Sequence, residues 1–225
     1  MSAGCSTPAP LPIFAGMLIT LIGGRIVPSF TRSWLARENP GRLPAPLGRF
    51  DTVVIAATGA ALLLWTALPA MPVTGLMLLA AAFLQAARLA RWAGHRTRRE
   101  PLVLILHVAY GFVPLGLLLT GLAGLGMMPA AAGIHAFAGA IATMTLAVMT
   151  RASLGHTGHA LHASYPTQAI YAAIVLSALS RICAALRPEE AVVLLVLSGA
   201  LWVAAFAGFG LAYGAILATR RVQAV

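Results

Sequence analysis

Residues 101–122 read PLVLILHVAYGFVPLGLLLTGL, and this stretch decides the fold. Nearly all of its side chains are apolar, and His107 is the one that titrates near neutral pH. About 20 consecutive apolar residues in a helix cross the ~30 Å hydrocarbon core of a bilayer. The stretch is therefore predicted to be a membrane-spanning helix, with Pro101 in its first turn.

The whole chain has the same character. It is 60% hydrophobic and 9% charged, with a mean hydropathy of +0.90. A soluble domain carries roughly a quarter charged residues, so a water-soluble fold is excluded. The 225 residues are interpreted as one all-α membrane domain, residues 1–225, with the lipid bilayer as its solvent. This polytopic transmembrane bundle has about seven predicted spans, at 11–30, 52–68, 73–89, 101–122, 131–150, 167–186 and 191–218.

The arginines predict the orientation of these spans. All 15 basic residues are arginine, and the formal net charge is +10. They cluster between apolar runs, so they indicate membrane topology, and no nucleic-acid partner is expected. Taken together, loops one–two, three–four and five–six and the C-terminus carry most of them, whereas loops two–three and four–five carry none. Cytoplasmic loops are arginine-rich, which predicts the N-terminus outside and the C-terminus inside.

Two histidines fall within predicted spans, His107 in the fourth and His135 in the fifth. Ionisable groups at such positions are functional hypotheses by default. Each histidine shares a helical face with glycine, which suits either a bound ligand or a tightly packed neighbouring helix, and both alternatives stay open. His107 lies ~9 Å from the inner surface and His135 ~8 Å from the outer one, at 1.5 Å per residue. The two are therefore not expected to bind the same haem.

A third feature is the predicted loop 151–166, which contains His156, His159 and His162. Histidines at this spacing suit either a metal site or an ordinary polar loop, and glycines in the segment disfavour a regular helix. His156 is expected on the same membrane side as His107, which makes these two the better candidate pair. Arg151, at the same interface, suits either an anionic group or membrane topology.

At this point several stretches resemble one family. GGRIVPSFTR, residues 23–32, is similar to its GGR-x-x-P-x-F-T motif, and residues 91–107 match its R-W-x-G, R-E-P-L and L-H elements. The segment from Ile134-His135 to TMTLAVMTRASLGHTG, residues 143–158, is similar to its longest signature. The family is NnrS, bacterial inner-membrane proteins linked to nitric oxide response and resistance, and the resemblance extends over nearly the whole chain from about residue 11.

The resemblance implies a multi-pass protein of the bacterial inner membrane with haem and copper as cofactors and nitric oxide as a ligand. It implies that the metal ligands are His107, His135 and His156. It further implies that Arg25 and Arg151 hold anionic groups, such as a haem propionate, at the interfaces. His159 and His162 lie outside the family pattern and are given no role. The resemblance assigns no reaction, so whether the protein is an enzyme, and which residues are catalytic, stays open.

The chain departs from the family in one respect. NnrS proteins have about twelve spans, with a histidine-rich H-x-H-E motif in the first half, and this chain resembles their C-terminal part. A separately encoded N-terminal half is therefore an expected partner. Two alternatives remain, a transporter or channel with a histidine proton relay, and a non-functional fragment or one that requires its other half.

Overall fold

The computed structural model describes residue 14 and residues 16–218, and in that part of the chain the regular elements are helical. A helix runs continuously from residue 16, through a π-helical segment Ile19–Gly23, into α1, Gly24–Glu38. The π-helical segment places its backbone carbonyls differently from an α-helix. The helices that follow are α2, Arg49–Ala67; α3, Pro72–Ala90; α4, Pro101–Gly124; α5, Ala130–Thr157; α6, Tyr165–Leu186; and α7, Ala191–Ala218.

Six of these helices, α2 to α7, are long and apolar enough to cross a membrane. The fold is thus a polytopic helical bundle, as the composition predicts. The first predicted span, 11–30, lies partly outside the described residues, and the arginine pair at 220–221 lies wholly outside them. Short 3-10 helices at Gly94–Thr97 and Pro188–Glu190 lie in two of the connections.

The centre of the bundle is α4, which packs against α3 on one side and α5 on the other. Small residues permit these close crossings. A methyl group added to Gly121 in α4 would lie 3.0 Å from the carbonyl oxygen of Gly75 in α3, and one added to Gly133 in α5 would lie 2.8 Å from the Thr120 nitrogen. Small residues at helix crossings are typical of membrane bundles, where close packing replaces the hydrophobic effect.

Two helices continue beyond the predicted spans. The first helix continues past Phe30 to Glu38, because Trp34 and Leu35 on its last turns bury against the loop that precedes α4. Likewise, α5 does not end at Thr150 but continues through Gly155 to Thr157. Buried residues extend along this extra part of α5, and tertiary packing there outweighs the weak helix preference of one glycine.

The α5–α6 connection is therefore shorter than predicted, residues 158–164, and both Arg151 and His156 are helical. The helix ends at Gly158, whose positive φ of 72° is the left-handed conformation that suits glycine at a helix C-terminus.

The α1–α2, α3–α4 and α5–α6 connections contact one another on one side of the bundle. The Ala45 N–H donates to the Arg91 carbonyl, and the Arg96 guanidinium donates to carbonyls of Asn39 and Pro40. The backbone N–H of Ala163, between α5 and α6, donates to the Glu100 carboxylate at the start of α4. We call this end of the bundle the arginine side, and we propose from the positive-inside rule that it faces the cytoplasm.

Reporter fusions test that orientation. Green fluorescent protein fluoresces in the cytoplasm and alkaline phosphatase is active outside it, so a green fluorescent protein fused after Val225 should fluoresce. Alkaline phosphatase inserted after Gly126, in the arginine-free α4–α5 turn, should be active. Phosphatase activity from an insertion after Gly41, on the arginine side, would contradict the proposed orientation.

Candidate functional site

The most polar part of the bundle interior is centred on Arg88, near the end of α3. Its side chain is fully buried, and its Nε donates to the Asp51 carboxylate of α2 at 2.9 Å. Its Nη1 donates to the Thr20 carbonyl at 3.1 Å and to the Tyr110 hydroxyl at 2.9 Å. One guanidinium therefore links the π-helical segment, α2 and α4, and an isolated cation at this place would be costly because the interior is apolar.

Further hydrogen bonds extend from this ion pair across the bundle. The Tyr110 hydroxyl donates to the Gln85 side-chain carbonyl at 2.8 Å, and the Gln85 amide donates to Thr58 at 2.9 Å. The Thr58 hydroxyl then donates to the Val54 carbonyl of its own helix. All of these side chains are buried, and we call Asp51, Thr58, Gln85, Arg88 and Tyr110 the Arg88 network.

The glycine pair of the GGR motif provides the space for the guanidinium. A Cβ on Gly24 would lie 2.5 Å from Arg88 Nη2, and one on Gly23 would lie 3.3 Å from the Tyr110 ring. On another side the Arg88 guanidinium lies 5.3 Å from the centre of the Trp92 ring. The guanidinium is thus bounded by glycine backbone and by an aromatic ring, which attracts a cation.

Two buried polar atoms near this point have no hydrogen-bond partner within the described residues, Arg88 Nη2 and Thr20 Oγ1. The Nη2 group faces Gly24, so the close backbone approach accounts for its lack of an acceptor. The π-helical segment contributes the Thr20 carbonyl to the network, and irregular helical turns of this kind are frequent at functional sites.

His107 lies on the arginine side of α4, with 7% of its surface exposed. Its Nδ1 lies 3.2 Å from the Val103 carbonyl, and its Nε2 lies 3.3 Å from the Thr31 hydroxyl of α1. Gly94 covers the ring, because a Cβ there would lie 2.5 Å from His107 Cδ2. The R-W-x-G motif therefore provides two close contacts, since Trp92 packs against Tyr110 and Gly94 against His107.

His135 lies at the opposite end of the bundle, in the second turn of α5. The Nε of Arg181, in α6, donates to its Nδ1 at 3.3 Å. The two side chains line a cavity of about 80 Å³, together with Gly139, Ala142 and Trp202. A cation that already donates to the ring nitrogen disfavours binding of a metal ion at the same nitrogen.

The three histidines of the predicted loop 151–166 lie on the arginine side. His156 is exposed on the last turn of α5, while His159 Nδ1 lies 2.8 Å from the Thr157 hydroxyl. His162 Nδ1 lies 2.9 Å from Glu100 Oε2, and Glu100 Oε1 accepts from the N–H groups of Leu102 and Ala163. The R-E-P-L motif thus caps α4 through Glu100 and attaches the α5–α6 connection to it.

The two candidate arginines differ in their surroundings. Arg25 is exposed on α1 and makes no hydrogen bond or ion pair with any described residue. Arg151 is buried, with 8% of its surface exposed, and its guanidinium lies 4.2 Å from the centre of the Phe30 ring.

Among the described residues, the structure does not bring the three predicted ligands together into one group. His107 and His135 lie near opposite ends of neighbouring antiparallel helices, and His156 is exposed at the end of α5. Within residue 14 and residues 16–218, no group of three or more His, Cys, Asp or Glu side chains could hold a metal ion.

The Arg88 network is the feature that sequence reasoning missed. Arg88 is the next-to-last residue of the predicted span 73–89, and Asp51 lies just before the predicted start of the span 52–68. The sequence contains one signal for this pairing. An acid at the start of one span and a base at the end of the next span lie on the same side of the membrane. Ionisable residues there tend to pair, and this pair does.

These features define the class of the protein, a multi-pass helical membrane protein with a buried arginine–aspartate pair and isolated histidines. The chain belongs to the NnrS family, because the family model described as NnrS protein matches residues 11–221. No curated protein and no solved structure gives a significant match to the chain.

Removing the partner of Arg88 should destabilise the bundle. Replacing Asp51 with Ala leaves a buried guanidinium without its counter-charge, which costs roughly 3–5 kcal/mol in proteins. We expect a large fall in the thermal unfolding temperature of the purified protein in detergent. Glu189→Ala also removes one carboxylate, but at an exposed position, and should have little effect. Equal unfolding temperatures for the two variants would contradict a structural role for the pair.

A methyl group at Gly24 should also destabilise the protein. Arg88 cannot move away from Gly24→Ala without weakening its bonds to Asp51, Thr20 and Tyr110, and overpacking of this kind costs about 1–3 kcal/mol. Gly199→Ala is the matched control, because no atom lies within 4 Å of a Cβ placed there. We expect the first variant to unfold at a lower temperature and the second at or above that of the wild type. A Gly24→Ala protein as stable as the control would show that the contact is not tight.

Proposed function

We propose that this chain acts in the bacterial response to nitric oxide, as a protein of the inner membrane that is associated with haem or copper. Its membership of the NnrS family supports the proposal. Within the structure the supporting observation is the geometry of His107. Its Nδ1 lies next to the Val103 carbonyl, and its Nε2 is directed at the neighbouring helix. A hydrogen bond from one ring nitrogen to a carbonyl is how metal-binding histidines are usually oriented.

The described residues do not by themselves form a complete haem or copper site. Metal–histidine bonds are about 2 Å long, and the 3.3 Å between Nε2 and Thr31 leaves no room for an ion between them. A metal at His107 therefore requires Thr31 to move and further ligands to come from elsewhere. We propose that a second polypeptide, carrying the histidine-rich motif of the N-terminal half of the family, supplies them.

The role of the chain's own residues follows from this arrangement. A ferrous haem or a copper ion, when bound, supplies a position at which nitric oxide binds. Val103 fixes the orientation of the His107 ring, and Gly94 permits the ring to lie close to the α3–α4 connection. His135 is proposed to act at a separate place, since it lies at the opposite end of the bundle from His107. His156 lies on the same side as His107 and is proposed as a further ligand there. We assign no reaction step to any of the three.

Metal analysis and optical spectroscopy test the proposal. The full chain, co-produced with an N-terminal half that contains the H-x-H-E motif, should carry haem or copper, and the reduced spectrum should change when nitric oxide is added. His107→Gln removes a proposed ligand and should lower the metal affinity at least about tenfold, because loss of even a hydrogen-bond partner of a metal ligand costs that much. His95→Gln removes an exposed histidine on the same side and should leave the content unchanged.

Other results would overturn the proposal. The first is a complex that contains neither haem nor copper. The second is metal content that is unchanged after His107, His135 and His156 are replaced together. Substrate flux in proteoliposomes without any bound metal would favour the transport alternative.

A further inference from the structure

A small cavity lies between α5, α6 and α7, at the end of the bundle opposite the arginine side. Its volume is about 80 Å³, and the polar side chains that line it are His135, Ser177, Arg181 and Trp202. Alanine, glycine and isoleucine form the rest of the described lining, and we call this feature the His135 cavity. Because three helices contribute to it, the cavity exists only in the folded bundle.

One cation in the wall of this cavity has no counter-charge there. Arg181 lies near the end of the membrane-spanning helix α6, where an unpaired charge is costly. No aspartate or glutamate is among the described residues that line the cavity, and Arg181 forms no ion pair with any described residue. Of the two acidic residues at this end, Glu190 lies 3.6 Å from Arg187, and Glu189 is exposed in the α6–α7 connection.

The other polar groups of the cavity are mainly hydrogen-bond donors. Arg181 Nε donates to His135 Nδ1, so a neutral His135 ring carries its proton on Nε2. That N–H, the two Nη groups of Arg181 and the indole N–H of Trp202 have no acceptor among the described residues. The Ser177 hydroxyl is already used, because it donates to the Ser198 carbonyl of α7 at 2.8 Å. The cavity therefore presents several donors without a matching acceptor.

The size of the cavity limits what these donors can bind. A water molecule occupies about 30 Å³ in the liquid, so the cavity holds about two or three groups of that size. This suits a small inorganic anion and is too small for a phospholipid headgroup. Since His135 engages Nε, the edge formed by the two Nη groups of Arg181 remains, and a guanidinium edge donates two parallel hydrogen bonds to a pair of oxygens.

We propose that the His135 cavity binds a small oxyanion of the size and charge of nitrate or nitrite. Arg181 supplies the positive charge and two donors, and His135 orients the guanidinium by accepting from its Nε. The N–H groups of Trp202 and His135 Nε2 are further donors. The cavity and His107 lie at opposite ends of the bundle, so this inference does not depend on a metal at His107.

Isothermal titration of the full chain in detergent tests the proposal, with sodium nitrate as the probe and sodium gluconate to hold the ionic strength constant. We expect one nitrate to bind per chain. Arg181→Gln should weaken binding by about tenfold or more, because it removes hydrogen bonds from a charged donor. Arg187→Gln is the matched control. It removes an arginine at the same end of the bundle but outside the cavity, and should leave the nitrate affinity unchanged.

Two further variants test the cavity itself. Ala142 lines the cavity, and Ala142→Leu replaces its methyl group with an isobutyl group while leaving every donor in place. We expect this variant to lose nitrate binding by steric exclusion. Trp202→Phe removes one N–H but keeps an aromatic ring next to Phe206, and should weaken binding less than Arg181→Gln does.

Three outcomes contradict the proposal. The first is a wild type that does not bind nitrate, or one whose affinity is shared by Arg181→Gln and Ala142→Leu. The second is an equal loss of affinity in Arg181→Gln and Arg187→Gln, which would show a general attraction of anions to this end. The third is co-purified phosphatidylglycerol that Arg181→Gln releases, without nitrate binding by the wild type, which would assign Arg181 to a lipid.

Unfolding temperatures of all variants are measured in parallel, so that loss of the fold is distinguished from loss of the site. Trp202 is exposed, and its replacement with another aromatic residue should not disturb packing. If Arg181→Gln does not fold, Ala142→Leu and Trp202→Phe decide the outcome. Wild-type nitrate affinity in both of these variants counts against the proposal.

Discussion

The burial of one guanidinium constrains much of this structure. Arg88 lies within the bundle with none of its side chain exposed, and a cation in such surroundings is tolerated only when it is paired and hydrogen-bonded. Asp51 supplies the charge, and Thr20 and Tyr110 supply further acceptors. Each partner comes from a different helix or segment, so satisfying Arg88 fixes how these elements sit relative to one another.

The same requirement explains the small residues around the network. Gly24 lets the backbone of α1 approach the guanidinium, and Gly23 lets it approach the Tyr110 ring. Gly94 permits the α3–α4 connection to lie against His107 in a similar way. The short motifs that identify the family are therefore largely motifs of close packing. They place the buried polar groups, and His107 lies at the edge of the region that they organise.

The arginine side has a different organisation, in which backbone groups and charges of three connections are joined. Glu100 caps α4 and holds the α5–α6 connection, while Arg96 donates to carbonyls of the α1–α2 connection. These bonds satisfy polar groups at the edge of the membrane-spanning region. The Arg151 guanidinium, in contrast, lies against the Phe30 ring.

The amino-acid sequence by itself determined the class of the protein. The length and apolarity of each span depend on a local window of residues, so the helices and their location in a membrane could be predicted directly. The uneven distribution of arginines then predicts the orientation of the spans. The family motifs could also be read, because they are short and continuous. Helix ends were less predictable, since packing of Trp34 and Leu35 extended α1, and buried contacts extended α5 through Gly155.

Only the tertiary structure decided which polar groups meet. Asp51 and Arg88 are 37 residues apart, and Thr20 and Arg88 are 68 residues apart, so their pairing depends on how whole helices rotate and cross. The separation of His107 from His135 has the same origin. Within one helix, the sequence fixes the direction of a side chain only relative to the other side chains of that helix. Which other helix lies in that direction is fixed by packing, and packing is a property of the whole bundle.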